Sequence, residues 1–205
     1  MTIHFHESDL PADLDLGDTI AVDTETMGLN TTRDRLCLIQ LCAGNDDAHL
    51  VRFPRQEHPY EAPNLTAMLA DSGRLKLFHF ARFDLAAIKH WLGIDCDPVY
   101  CTKIASRVAR TYTDRHGLAD LTRELLGTEI SKAQQSSDWG AEQLSEAQLE
   151  YAASDVLYLH ALKERLDVML TREDRMAHVQ ACFEYLPHLV SLDLGGWSGI
   201  DIFSH

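Results

Sequence analysis

The sequence predicts an α/β fold: a mixed, five-stranded sheet flanked by helices. Three observations carry this expectation. Three apolar, strand-like runs follow one another through short turns; a strand-then-helix alternation comes next; and from Thr102 onward the pattern is almost wholly helical.

The elements read in order as follows. Thr19-Ile20-Ala21-Val22 continues into Asp23-Thr24-Glu25 as the first strand, and Met27 to Asn30 turns the chain. Leu36 to Cys42 reads as a buried strand, Gly44 to Asp47 has turn chemistry, and Ala48 to Phe53 is a third strand. Such short connections favour an antiparallel meander. Residues 54–63 form a loop, and Asn64 is positioned to cap a helix running to about Ala70. Leu75 to Phe80 is a fourth strand, followed directly by a helix from about Arg82 to Leu92, and Val99 to Cys101 is a short fifth strand. The last helical pattern ends near Pro187.

Composition narrows the class. A chain of 205 residues, 45% hydrophobic and 24% charged, suits one domain with a substantial core. No apolar run approaches the roughly 20 residues of a membrane span, and the first residues lack a basic segment followed by an apolar one. The five cysteines are odd in number and form no C-x-x-C pair, which speaks against a disulfide framework or a zinc site. The cytoplasm is the expected compartment. The net charge of −14 argues against gripping a long nucleic acid through many phosphates. A polyanionic substrate is expected to be short, or held by metal and a few local cations.

The chemistry gathers on carboxylates. Asp23 and Glu25 are i and i+2 on a strand, so they project from one face, with the small Ala21 beside them. Two acids that close repel unless a cation sits between them, and a hard divalent ion with oxygen ligands is the usual solution. A strand end with solvated acids has the same pattern. Asp84 falls just past the fourth strand, where ligands bind in α/β sheets and where an acid also favours a helix start. Ser145 and Gln148 form a capping-box pattern, so Tyr151 and Asp155 are i and i+4 on one helical face.

Taken together, Asp23-Thr24-Glu25, Asp84 after Phe78-His79-Phe80, and Tyr151-Ala152-Ala153-Ser154-Asp155 resemble, in order and spacing, the DEDDy 3′-5′ exonucleases, the family of RNase D and the proofreading exonucleases. Residues 101–106, 116–121 and 132–139 also look like RNase D, and the similarity covers roughly Thr19 to Leu170. Residues 110–117 and 192–203 extend the likeness to the compact nanoRNase C branch of the family. One departure is Phe80, where many members have Asn after the histidine.

The resemblance implies an RNase H-like (DnaQ-like) fold and a single exonuclease domain over residues 1–205, without the helical HRDC domains of RNase D. It implies two divalent ions, Mg²⁺ or Mn²⁺, held by Asp23, Glu25, Asp84 and Asp155, with Tyr151 orienting the attacking water. The implied activity is a 3′-5′ exoribonuclease that cuts very short RNAs, dinucleotides above all, to nucleoside 5′-monophosphates. A general exonuclease on longer RNA or DNA is the alternative, and an inactive nucleic-acid-binding module is a third reading. Leu29 either wedges between two bases or anchors its turn in the core. His79 is a satisfied core histidine or a substrate contact. Lys103, Arg107, Tyr112, Arg115, His116 and Lys132 are candidates for holding a terminal phosphate. The resemblance also implies a closed homo-octamer, with residues 188–205, and Trp197 and Phe203 in particular, at subunit contacts.

Overall fold

A computed structural model of the chain describes residues 1–131 and 133–204. The strands are β1 (Thr2–Glu7), β2 (Thr19–Thr26), β3 (Leu36–Cys42), β4 (Asp47–Arg52), β5 (Leu75–Phe78) and β6 (Val99–Cys101). The helices are α1 (Pro63–Ala70), α2 (Ala81–Leu92), α3 (Thr102–Ala109), α4 (Leu118–Leu121, widening into a π-helical turn at Thr122–Leu126), α5 (Glu146–Leu157), α6 (Leu159–Arg172) and α7 (Met176–Leu192, continued by a π-helical turn to Trp197).

The strands form one mixed sheet in the order β1-β4-β3-β2-β5-β6. β2, β3 and β4 are the expected antiparallel meander, while β5 and β6 add in parallel beyond β2. The sixth strand is a correction to the five expected. β1 lies parallel to β4, with His4 opposite His49 and Phe5 opposite Leu50. It escapes a pattern search because it is a half-exposed edge strand, with only Ile3 and Phe5 as its apolar alternation.

β3 is buried throughout, so its side chains fill the core on both faces of the sheet. One face of β2 carries Ala21, Asp23 and Glu25, and α5 packs against this meander. That packing brings the third motif over the first. The capping box forms as expected: the Gln148 amide donates to Ser145 Oγ at 3.3 Å, and the Ser145 amide donates to Gln148 Oε1 at 3.0 Å.

Two helix ends differ from expectation. Pro63 opens α1, and the cap comes from a distant residue: the Asp9 carboxylate accepts the amides of Asn64 (3.0 Å) and Leu65 (2.8 Å), while Asn64 Nδ2 donates to Leu10 O. Helix α7 does not stop at Pro187 but runs through it to Leu192. A proline removes one backbone donor, a loss that buried Val179, Phe183, Leu186 and Val190 on the same helix outweigh by packing. The end of α7 is tied back to α2, because Arg82 makes a bidentate pair with Asp193 at 2.6 Å through both nitrogens. Among the described residues, no helix is long and apolar enough to cross a membrane.

Candidate active site

The acids come from three elements that the sheet and its helices force together. β2 supplies Asp23 and Glu25, the first turn of α2 supplies Asp84, and α5 supplies Asp155. One carboxylate oxygen each from Asp23, Glu25 and Asp155 lie within 4.8 Å of one another. Asp84 is nearly fully buried, and its Oδ1 accepts the Thr24 hydroxyl at 2.7 Å. Gln40 sits opposite Asp23 in the β2–β3 register and donates to its Oδ2 at 3.4 Å. Thr24 and Gln40 are contributors that no local pattern singles out. The spacing of Thr24 between two acids hid it, since alternation predicts only that it points the other way.

The four acids line one cavity of about 310 Å³, together with Tyr151, His79, Phe80, Phe83, Lys103 and the backbone around Gly117. Their protonation shows the cost of this crowding. Burial, then the charges of Asp84, Asp155 and Glu25, hold Asp23 well above the usual carboxylate range. Burial, then Asp155 and Asp84, push Glu25 up to about 9. Burial raises Asp84 to about 7 despite its hydrogen bond from Thr24, and raises Asp155 to about 7 despite the nearby Tyr151 hydroxyl. Tyr151 is itself pushed upward by burial and by Asp155, so its hydroxyl stays protonated. Carboxylates this mutually unfavourable are relieved by cations. An all-oxygen donor set of this kind fits hard divalent ions.

The other candidate residues divide by location. His79 lines the cavity, and its Nδ1 lies 2.8 Å from Thr102 Oγ1, which itself donates to Phe78 O. Thr102 must therefore accept from Nδ1–H, which leaves Nε2 of neutral His79 as an acceptor. Burial and Lys103 lower the His79 pKa to about 3. Leu29 is 90% exposed, so it does not anchor its turn in the core. Its loop is braced instead by polar bonds. The Thr26 hydroxyl donates to Gly28 O, the Asp34 carboxylate accepts the Asn30 amide, and Trp91 Nε1 donates to Thr31 O.

Arg107, Tyr112 and Arg115 are exposed and outside the cavity lining, and Tyr112 stacks with buried Arg110. His116 is buried with Nδ1 2.8 Å from Ser106 Oγ, though its neighbour Gly117 lines the cavity. Lys132 lies outside the described residues.

With this geometry in view, the likeness to known proteins is specific. Residues 2–171 match the 3′-5′ exonuclease family model. This chain belongs to the 3′-5′ exonuclease family. Its acid-bearing sheet is the RNase H-like fold of that family. Ribonuclease D of Acidiphilium cryptum is 36% identical over 157 residues, which are 77% of this chain and 39% of the relative. The chain thus spans about two fifths of the length of the curated relatives it matches. Among solved structures, Brucella melitensis NrnC with bound Mg²⁺ is 52% identical with a TM-score of 0.94, covering 100% of both chains. NrnC bound to pGG is 53% identical with a TM-score of 0.95, covering 100% of this chain and 99% of that one. Escherichia coli RNase D is 26% identical with a TM-score of 0.73, over 84% of this exonuclease chain and 45% of that one.

Proposed function

We propose that this exonuclease removes 3′-terminal nucleotides from very short RNAs, dinucleotides above all, releasing nucleoside 5′-monophosphates. The observation that carries this is the convergence of Asp23, Glu25 and Asp155 oxygens within 4.8 Å, with Asp84 beside them, in a small cavity. A volume of about 310 Å³ is at the low end for ligand pockets, which suits a terminal nucleotide rather than a long strand. NrnC, matched over its whole length, has been seen with pGG and with Mg²⁺, and that supports both the short ligand and the metal.

Asp23, Glu25, Asp84 and Asp155 would hold two divalent ions, Mg²⁺ or Mn²⁺. When bound, such ions lower the pKa of water and neutralise charge on the phosphate and the leaving oxygen. The chain's own groups do the rest. Thr24 and Gln40 fix the carboxylates of Asp84 and Asp23. Tyr151, protonated and in reach of Asp155, orients the attacking water by a hydrogen bond. His79 Nε2 is free to accept a ribose hydroxyl, a contact available from RNA. Leu29 stands exposed on a braced loop, so it closes the outer side of a two-base site at little entropic cost. Trp197, Ile200, Ile202 and Phe203 are exposed apolar groups in one C-terminal segment, and they support its burial in a closed homo-octamer.

A time course with end-labelled RNAs of two, three and seven residues, beside a DNA strand, tests the reading. Dinucleotides should turn over fastest, and Leu29→Ala should flatten the length preference. Equal wild-type rates at every length would favour the general exonuclease instead.

A further inference from the structure

Phe80 is one of the cavity groups that the proposed chemistry leaves without a task. It stands at the N-terminal cap of α2 with φ 69° and ψ 39°, in the left-handed region. Among the described residues, the other non-glycine positions with positive φ are Ser8 and Asp174, both small and polar. A bulky aromatic residue is strained in that conformation, and glycine or asparagine would occupy it more easily. The ring gains only partial burial in return: it is 49% exposed, while nearby Phe78 and Ala81 are fully buried. It also gives α2 no side-chain cap. A phenylalanine that serves neither backbone nor core, yet lines the wall of an acid-rich cavity, points to a ligand.

The second observation is Lys103. Its Nζ lies 4.1 Å from the centroid of the Phe80 ring, and it makes no ion pair among the described residues, although four carboxylates share the cavity. Phe80 follows β5 and Lys103 follows β6, so both stand at the carboxyl end of the parallel strands, where α/β sheets bind ligands. A half-exposed ring with an ammonium group over one face, free of any carboxylate partner among the described residues, matches a ligand with a flat base and a phosphate.

We infer that Phe80 and Lys103 form a nucleotide platform: a base of the substrate stacks on Phe80, and Lys103 meets the adjoining phosphate. The inference rests on the exoribonuclease reading and adds to it the groups that grip the base. Stacking on an aromatic side chain tolerates every base but favours the larger purines.

The test is steady-state hydrolysis of 5′-phosphorylated GG and CC dinucleotides by the metal-loaded protein, with thermal melting of each variant. Phe80→Gly removes the ring and relieves the backbone. Melting should stay level or rise, KM for GG should rise on the order of tenfold with kcat little changed, and the preference for GG over CC should shrink. Phe80→Asn, which also tolerates the left-handed backbone, should behave alike, and Phe80→Trp should restore the low KM. Lys103→Gln should raise KM and weaken its dependence on salt. An unchanged KM in Phe80→Gly overturns the platform. So does a lowered melting temperature with kcat lost equally in the Gly, Asn and Trp variants. Wild-type protein that leaves both dinucleotides intact would instead sink the exoribonuclease reading, so the two failures are distinguishable.

Discussion

The acid cavity and the C-terminal segment are both at odds with water, in opposite senses. In the cavity, carboxylates that favour solvation are buried against one another, and Glu25 is driven up to about 9. In the segment from Trp197 to Phe203, side chains that favour burial stand in the open, with Phe203 72% exposed. The core enforces the first imbalance: β2 cannot turn Asp23 outward without also exposing Val22, Thr24 and the strand's pairing with β3. The second is held more lightly, by the Arg82–Asp193 pair at the end of α7 and a tilted Tyr185–Phe203 contact with ring centroids 6.1 Å apart. The difference teaches what each needs. The proposed divalent ions would complete the rigid cluster of charge, and the proposed subunit contact would complete the apolar segment.

The comparison breaks most sharply at Asp155. Asp155→Asn should keep the fold but lose on the order of a thousandfold in turnover, since the metal contribution to transition-state stabilisation is several kcal/mol. Near-wild-type cleavage of a labelled dinucleotide by this variant would remove Asp155 from the metal-binding role. Tyr151→Phe should retain metal-dependent stabilisation while cleaving slowly, and a collapsed fold there would make Tyr151 structural.

The next largest effect concerns the tail. Light scattering behind size exclusion should find an octamer in the full chain and a smaller species after Trp197→Ala combined with Phe203→Ala. A monomeric wild type would remove the ring, and an octamer surviving both substitutions would clear the tail of a part in it.

The smallest effect is on stability. Mn²⁺ at about a hundred times its Kd should stabilise the fold by about 2.7 kcal/mol, roughly 5–10 °C in melting temperature. The gain should be smaller in Asp155→Asn. Its pH dependence has a fixed sign. Acids whose folded pKa is raised bind more protons in the native state than when unfolded. Metal-free stability should therefore fall as pH rises from about 4, the unfolded value, through about 7 for Asp84 and Asp155 to about 9 for Glu25. Bound metal should flatten that slope. A metal-free melting temperature that climbs across this range would contradict the crowding of the acids.

The parts of this molecule that were legible in the sequence share a property: a local period or a local cap. Asp23 and Glu25 followed from strand alternation, Tyr151 and Asp155 from helical spacing after the Ser145 cap, and the meander from its turns. What stayed hidden depends on partners far along the chain. The cap of α1 comes from Asp9 rather than from Asn64, and Gln40 reaches Asp23 only because the register of β2 and β3 places it there. Pro187 reads as a helix end, yet the buried face of α7 carries the helix past it. The left-handed turn at Phe80 carries no glycine to announce it.

The Arg82–Asp193 pair joins residues 111 positions apart. This has a consequence for how the protein is made. The first three acids emerge from the ribosome early, but Asp155 follows long after them and Asp193, which pins the helix bearing Asp84, later still. Until α7 is free to dock, the helix that bears Asp84 lacks its Asp193 tie, so the acid cluster is set only after residues 111 positions past Arg82 have folded.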